Sequence, residues 1–393
     1  MTTDAAKSAI PKIVVAGHIC LDIIPSFPAT EAGAAIEPGL LYIVGPAVRA
    51  TGGAVSNTGL ALHHLGVPTS LIGKVGADLF GGETLQILHA IDPLLAEGMI
   101  VAPAEDSSYT VVINPPGVDR SFLHCTGAND TFLANDIDYD SLAGSKLIHF
   151  GYPTLMQRIY EDSGQQMSQL FEQSRARGLL TSLDMAMPDA NSPAGRVDWR
   201  VWLEHVLPAV DVYLPSIDET LFMLRRPQFN QLSQAAGGGD LGRLVDANLL
   251  RELAEELLSM GAGTVVLKLG DQGLYLRSGK TNRLASGWQD RELLTPCFQV
   301  KVVGTTGAGD CTIAGFLAAL VEGTSPEEAL VDAVAVGACS VEVADATSGI
   351  SPLPDVRNRI AAGWQRHTPA LDLPGWTWNE AAGVWSGPSD SKM

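Results

Sequence analysis

Gly304-Thr305-Thr306-Gly307-Ala308-Gly309-Asp310 is the segment whose residue types and spacing most directly imply chemistry. Gly304 and Gly309 stand apart as in a Walker A loop, but the residue that would be lysine there is Asp310. A lysine grips phosphate and a carboxylate repels it, so Asp310 belongs beside a hydroxyl that attacks phosphate. The glycine-rich turn supplies the anion site. A helix start carries unpaired amide donors and about half a positive charge, and Gly307, Ala308 and Gly309 put no bulky side chain in the way of a phosphate. Asp310 falls in the first helical turn, where the dipole keeps it ionised and weakly basic. That suffices for a loose phosphoryl-transfer transition state, which asks for orientation of the hydroxyl more than early deprotonation. The plainer alternative is a strand-to-helix turn with a capping carboxylate.

The elements around this turn must hold it. The apolar run Phe298, Val300, Val302, Val303 predicts a strand before it, and Ile313, Phe316, Leu317, Leu320 a helix after it. Residues 12–17 predict the first strand, and Leu40–Val44 a short extended piece within a Pro/Gly/Ala-rich stretch. Gly52-Gly53 opens a helix with the stripe Leu60, Leu62, Leu65, closed by Gly66. Residues 71–76 predict another strand, and 109–114 with 121–125 a hairpin around Pro115-Pro116-Gly117. From Lys146 strands and helices alternate, which indicates a parallel sheet covered on both faces. Residues 225–246, with Gly237-Gly238-Gly239, predict a flexible surface loop. A helix follows from Leu249, then strands at 264–268 and 273–276, and helices dominate 312–343. Trp376, Trp378 and Trp385 in the tail have no functional reading beyond docking on the body or on a second subunit.

Composition excludes several classes. With 393 residues, 46% hydrophobic and 18% charged, the chain is long enough for a large α/β core. A net charge of −19 disfavours nucleic acid and anionic membranes, so any phosphate site must be built locally. The five cysteines are scattered without a C-x-x-C pair, and no long apolar window exists, so a reduced, cytoplasmic setting without a transmembrane helix is expected. The run Ile13–Ala16 is too short for a signal sequence. No H-E-x-x-H or comparable histidine spacing argues for a tightly held transition metal. Gly17-His18-Ile19-Cys20-Leu21-Asp22 stands where a dinucleotide fold would carry G-x-G-x-x-G, which argues against a Rossmann oxidoreductase.

The turn followed by Ala314-Gly315-Phe316 resembles the C-terminal signature of the ribokinase (PfkB) family of carbohydrate kinases. Gly52-Gly53-Ala54-Val55-Ser56-Asn57 with Leu65-Gly66 looks like that family's N-terminal glycine-pair signature. Asp22 matches its acidic residue after the first strand, Val266–Gly273 its strand-turn element by the nucleotide, and Ala346-Thr347-Ser348-Gly349 its loop beneath the adenine. The resemblance implies a ribokinase-like three-layer α/β sandwich with a central, mostly parallel sheet and a small β-lid. The kinase domain would span 12–365, with an N-terminal tail 1–11, lid segments about 23–51 and 105–130, an insertion 225–246 and an extension 366–393.

The same resemblance makes Asp310 the catalytic base and Gly307, Ala308 and Gly309 the anion hole. It places Asp22, Gly52, Gly53 and Asn57 on sugar hydroxyls, with Arg120 pointing into the pocket and Asn129 and Asp130 as further candidates. Lys268, Gly270, Gly273, Thr305, Ser348 and Gly349 would meet the nucleotide, and Glu219 would organise Mg²⁺ through water. Ser216 replaces the family's usual Asn in that element, so Asp218 is a second candidate. Gly304 replaces the usual Asp that helps bind a monovalent cation, which leaves K⁺ activation open. The implied activity is ATP-dependent phosphorylation of a hydroxymethyl group of a sugar or sugar acid. A nucleoside kinase, using Phe27, Tyr42, Tyr109 and Phe122 as a base clamp, and a non-catalytic sensor are the alternatives. Expected partners are a sugar, ATP and a second copy paired through the lid edge.

Overall fold

Runs of β-branched and aliphatic residues that end at glycine or a polar residue build the sheets of this computed structural model, which describes residues 13–28, 39–115, 120–237 and 239–392. In chain order the strands are β1 (Ile13–Gly17), β2 (Cys20–Pro25), β3 (Ala47–Gly52), β4 (Thr69–Ile72), β5 (Lys74–Gly76), β6 (Ile100–Ala102), β7 (Tyr109–Ile113) and β8 (Ser121–Cys125). They continue as β9 (Leu147–Gly151), β10 (Leu180–Leu183), β11 (Val212–Tyr213), β12 (Thr264–Lys268), β13 (Leu274–Ser278), β14 (Glu292–Thr295), β15 (Thr377–Asn379) and β16 (Val384–Ser386). A ten-stranded sheet has the order β15-β16-β14-β13-β12-β11-β10-β9-β1-β4. It is parallel from β4 to β12 and antiparallel from β12 to β15. A separate four-stranded sheet has the order β3-β2-β7-β8.

Alternation along each central strand divides its side chains between two cores. Val14, Ala16, Phe150, Leu183 and Leu267 face one side, against Phe171, Trp202 and Leu253 from helices Gln165–Ala176, Trp199–Val206 and Ala247–Ser259. Ile13, Val15, Leu147, Val212 and Val266 face the other, against Leu62, Phe316 and Val334 from helices Ala54–His64, Ala308–Glu322 and Pro326–Ser340. Helices therefore cover both faces of the sheet, as the strand-helix alternation predicts.

Several local expectations give way to tertiary context. The run before the anion turn is not a strand: Phe298 makes one isolated bridge to Arg366, and Val302 and Val303 are exposed. Residues 40–46 carry no strand, and the extended segment is β3 instead. The run 71–76 breaks at Gly73 into β4 and β5, which belong to different sheets. Residues 225–246 hold a helix, Arg226–Ala236, rather than a flexible loop. Its glycine-rich end includes residue 238, which lies outside the described residues, as do the tail 1–11, residue 12, and residues 116 and 117 of the hairpin loop.

The C-terminal extension is part of the main sheet. β16 pairs with the β14 edge, with Leu294 opposite Trp385. The buried Arg291 is bound by Asp390 at 3.1 Å and Glu327 at 2.6 Å. The tail tryptophans thus dock on the body, Trp376 beside Tyr275 and Trp378 against Trp385. Among the described residues no helix is long and apolar enough to cross a membrane, and all five cysteines are free.

Candidate active site

Five parallel strands end on one side of the sheet, and each end delivers a polar group there. His18 follows β1, Tyr152 follows β9, Asp184 follows β10, Ser216 and Glu219 follow β11, and Lys268 ends β12. Ligands of open α/β sheets bind outside these carboxyl ends. A cavity of about 280 Å³ lies there, lined by Tyr152, Asp184, Glu219, Lys268, Thr305 and the turn from Gly307 to Asp310. A larger cleft of about 1320 Å³ lies between helix Pro326–Ser340, residues 357–369 and the β15–β16 hairpin. It holds none of these groups, so the smaller cavity is where the chemistry converges.

The anion turn is built as its sequence demands. Gly307 is left-handed (φ 70°), and a Cβ there would lie 2.6 Å from that of Ala346, so only glycine fits. No described side chain caps the helix that starts at Ala308; the Ala308 amide donates to the Thr305 carbonyl at 3.3 Å, and the turn from Gly307 to Asp310 lines the cavity. Gly309 differs. A Cβ there would meet Lys268 Cε at 3.5 Å, an ordinary contact, so the protein itself leaves this space open. Gly309→Ala should therefore fold with unchanged or higher stability, yet lose about 10²-fold in kcat/KM as the methyl displaces the anion. Thermal melts beside steady-state rates check this, and full activity would mean that nothing approaches the turn this closely.

Asp310 lies in the first turn and is 2% exposed. Its Oδ2 accepts Asn57 Nδ2 at 2.9 Å and the Tyr152 hydroxyl at 2.8 Å. Oδ1 has no hydrogen-bond partner among the described residues. One oxygen is thus clamped, and the other is buried beside Thr58 without a described partner at hydrogen-bond distance. Contrary to the weak basicity expected from the helix dipole, burial pushes the carboxyl above the ordinary range, with Asn57, Tyr152, Lys268 and Thr58 pulling the other way. Sequence placed Asn57 on the substrate; the structure shows its amide nitrogen holding Asp310. Tyr152, which sequence missed, adopts left-handed backbone (φ 62°) between the end of β9 and Pro153.

Lys268 sits beside the turn, ion-paired to Asp184 and donating also to the Leu214 carbonyl. Burial lowers its pKa, but Asp184, Glu219 and Asp310 outweigh that and raise it. Asp184, also missed, is pushed up by burial against the pull of Lys268. Its signal was a carboxylate at the end of a parallel strand. Glu219 Oε2 accepts the Ser216 amide at 2.6 Å, while the Ser216 hydroxyl accepts the Glu219 amide at 3.1 Å. This capping box explains how serine serves where asparagine was expected. Asp218, the second candidate, does not line the cavity.

Of the residues that sequence placed on the acceptor, Asn57 touches Asp310, while Asp22, Gly52 and Gly53 lie outside the residues that line this cavity. A Cβ on Gly52 would lie 2.3 Å from Asp22 Oδ2, so the carboxylate lies flat against this glycine. Gly53 has φ 85°, and a Cβ there would lie 2.5 Å from His18 Nδ1. Arg120 reaches from the β7–β8 hairpin to Thr305 Oγ1 at 3.2 Å, linking the second sheet to the anion turn. Gly270 and Gly273 answer backbone demands, lying against Asp240 and the Thr295 carbonyl. The Ser348 hydroxyl and amide bind Asp345, and Gly349 lies against the Cys339 carbonyl, in a loop whose Ala346 touches the turn. Asn129 and Asp130 prove structural: Asn129 bonds both backbone groups of Ile19, and Asp130 bonds Thr126 and the Gln157 amide.

Residues 11–353 match the pfkB family of carbohydrate kinases, and the chain belongs to that family. It is a sugar kinase of the ribokinase-like fold, a phosphotransferase with an alcohol group as acceptor. An uncharacterised sugar kinase of Archaeoglobus fulgidus is 28% identical over 269 residues, covering 68% of this chain and 89% of that protein. The 2-dehydro-3-deoxygluconokinase of Thermoproteus tenax is 24% identical over 315 residues, covering 79% and 85%. A ribokinase-family protein of E. coli, solved with ATP and Mg²⁺, superimposes with a TM-score of 0.65 at 22% identity, covering 90% of this chain and 99% of that one.

Proposed function

We propose that this kinase transfers the terminal phosphoryl group of ATP to a hydroxymethyl group of a sugar or sugar acid, with Asp310 as the base. The observation that carries the reading is the division of labour at Asp310, which lines the cavity beside an uncapped helix start: Oδ2 is fixed by Asn57 and Tyr152 while the buried Oδ1 has no hydrogen-bond partner among the described residues. A hydroxyl donating to Oδ1 is oriented there, and its proton passes to that oxygen as the phosphoryl group arrives. The amides of Gly307 and Gly309, that of Ala308 on release from the Thr305 carbonyl, and the ammonium of Lys268 would meet the negative charge. One such donor is worth roughly 3–4 kcal/mol in the transition state.

The residues fit the metal–nucleotide that the E. coli neighbour holds. Glu219, with Oε2 fixed by its cap, would hold Mg²⁺ through water. Bound Mg²⁺ neutralises charge on the polyphosphate. Asp22 and the turn at Gly52-Gly53 would bind acceptor hydroxyls, and Gly270, Gly273, Thr305, Ser348 and Gly349 would border the nucleotide.

The β3-β2-β7-β8 sheet serves as the lid, closing through Arg120 on Thr305 and keeping water from the phosphoryl group. The exposed Val48 and Phe122 of this sheet, with Leu41 and Ile43 in the segment before β3, favour pairing with a second copy. Tyr109 packs on Phe80, so one ring expected to clamp a nucleoside base is engaged elsewhere.

ADP release with MgATP across hexoses, pentoses, keto-deoxy sugar acids and nucleosides tests the reading. Turnover on a sugar or sugar acid supports it. Turnover confined to nucleosides replaces the acceptor, and binding without turnover on any member replaces the enzyme with a sensor.

A further inference from the structure

Three soft-metal donors converge where the four-stranded sheet meets the end of β1, outside the residues lining the phosphoryl-transfer cavity. Strand register brings them together. Asp22 pairs with Thr110 across β2 and β7, and Thr110 pairs with His124 across β7 and β8, so these three share one face. Cys20, two residues before Asp22, shares it by the period of the strand. That face meets His18, which follows β1. One donor atom each from His18, Cys20 and His124 lies within 4.8 Å of the others. His18 is 2% and Cys20 5% exposed.

The geometry is that of a tetrahedral site part-way closed. Two imidazole nitrogens on zinc stand about 3.3 Å apart, given Zn–N bonds of roughly 2.0–2.1 Å. His18 Nε2 and His124 Nε2 stand 3.2 Å apart in a hydrogen bond that a bound metal would replace. His124 is also oriented for ligation, because its Nδ1 is 3.0 Å from the Thr110 hydroxyl. With Nδ1–H donating there, the Nε2 lone pair faces His18, the arrangement that outer-shell partners impose on ligating histidines. His18 Nδ1 is buried without a partner among the described residues. Asp22 Oδ1, 3.4 Å from Cys20 Sγ, borders the fourth position.

We propose that His18, Cys20 and His124 form a binding site for a thiophilic divalent cation of the Zn²⁺ class, with a fourth position facing Asp22. Binding releases the Cys20 thiol proton to solvent and forms a metal–thiolate bond. Two imidazoles and a thiolate are too soft for Mg²⁺, so the cation of the kinase reaction does not compete. The metal ties β8 to the end of β1 and so holds the second sheet against the body. If Asp22 binds the acceptor, as proposed above, the metal also inhibits competitively with the sugar. That consequence rests on the proposed function, whereas metal binding does not.

The test is Co²⁺ titration of the reduced, chelator-treated full-length protein in excess Mg²⁺. The expected result is a single saturable site with thiolate-to-cobalt charge-transfer absorption and tetrahedral d–d bands, all displaced by Zn²⁺. Cys20→Ser should lose the charge-transfer band, and Cys297→Ser, remote from the cluster, should keep it. His124→Ala, at an exposed strand, should lose the tetrahedral bands and decides the matter should Cys20→Ser fail to fold. Absence of a saturable site in the wild type, or bands that survive both Cys20→Ser and His124→Ala, would overturn the proposal. Co²⁺ binding in a chain without turnover on the acceptor panel sinks only the proposed acceptor and base, and turnover without Co²⁺ binding sinks only the metal site.

Discussion

Replacing Asp310 with Asn is expected to lower kcat by roughly 10²–10⁴-fold, the range for a positioned proton acceptor, without lowering stability. The carboxyl is almost wholly buried, and burying a charge is costly even with two donors on one oxygen. Asn keeps an oxygen for Asn57 and Tyr152 and discards the charge. The same burial sets the pH dependence. The folded-state pKa is raised, and the ionised form accepts the hydroxyl proton, so the acid limb of kcat/KM should lie above the ordinary carboxylate range. Stability runs the opposite way. A raised folded pKa means the native state binds the proton more tightly, so this group's contribution is full below the unfolded pKa and is lost as pH rises through the folded one. In Asp310→Asn both the limb and that share of the slope should vanish, as rate profiles and melts across pH would show. A variant with wild-type kcat would remove Asp310 from the chemistry.

Why this site was legible in part follows from where its signals lie along the chain. The anion turn and the glycine pair are contiguous, and their constraints are local: Gly307 and Gly53 need positive φ and close approach, which sequence displays as glycine. Strand-helix alternation was enough for the covered parallel sheet. Tyr152 and Asp184 were missed because their role arises only when β9 and β10 set their ends beside β12 and the turn. His18 and His124 are 106 residues apart, so no spacing rule joins them. That Asn57 holds Asp310 was not legible, because 253 residues separate the two. The expected strand at Phe298–Val303 failed because the β14 edge there is taken by β16, from a hairpin whose tryptophans carried no periodic signal.

Lys268→Met should be the most destabilising single change in the cavity, by about 3–5 kcal/mol, the cost of stranding one member of a buried ion pair. The Asp184 side chain is 3% exposed and that of Lys268 14%, and Glu219 and Asp310 add their charge to the same space. One ammonium thus offsets three carboxyls. Without it Asp184 must take up a proton, so the loss should shrink as pH falls. Lys268→Met combined with Asp184→Asn should recover much of the stability, because no buried charge is then left without its counterion. Turnover should stay lost in both variants if the ammonium also meets the transferred phosphate. Denaturant melts of the four-member cycle, with rates on the same samples, separate the two roles. Recovery of stability and turnover together would confine Lys268 to holding Asp184, whereas a single-variant cost under about 1 kcal/mol, the scale of an exposed pair, would mean that water reaches the cluster and screens it.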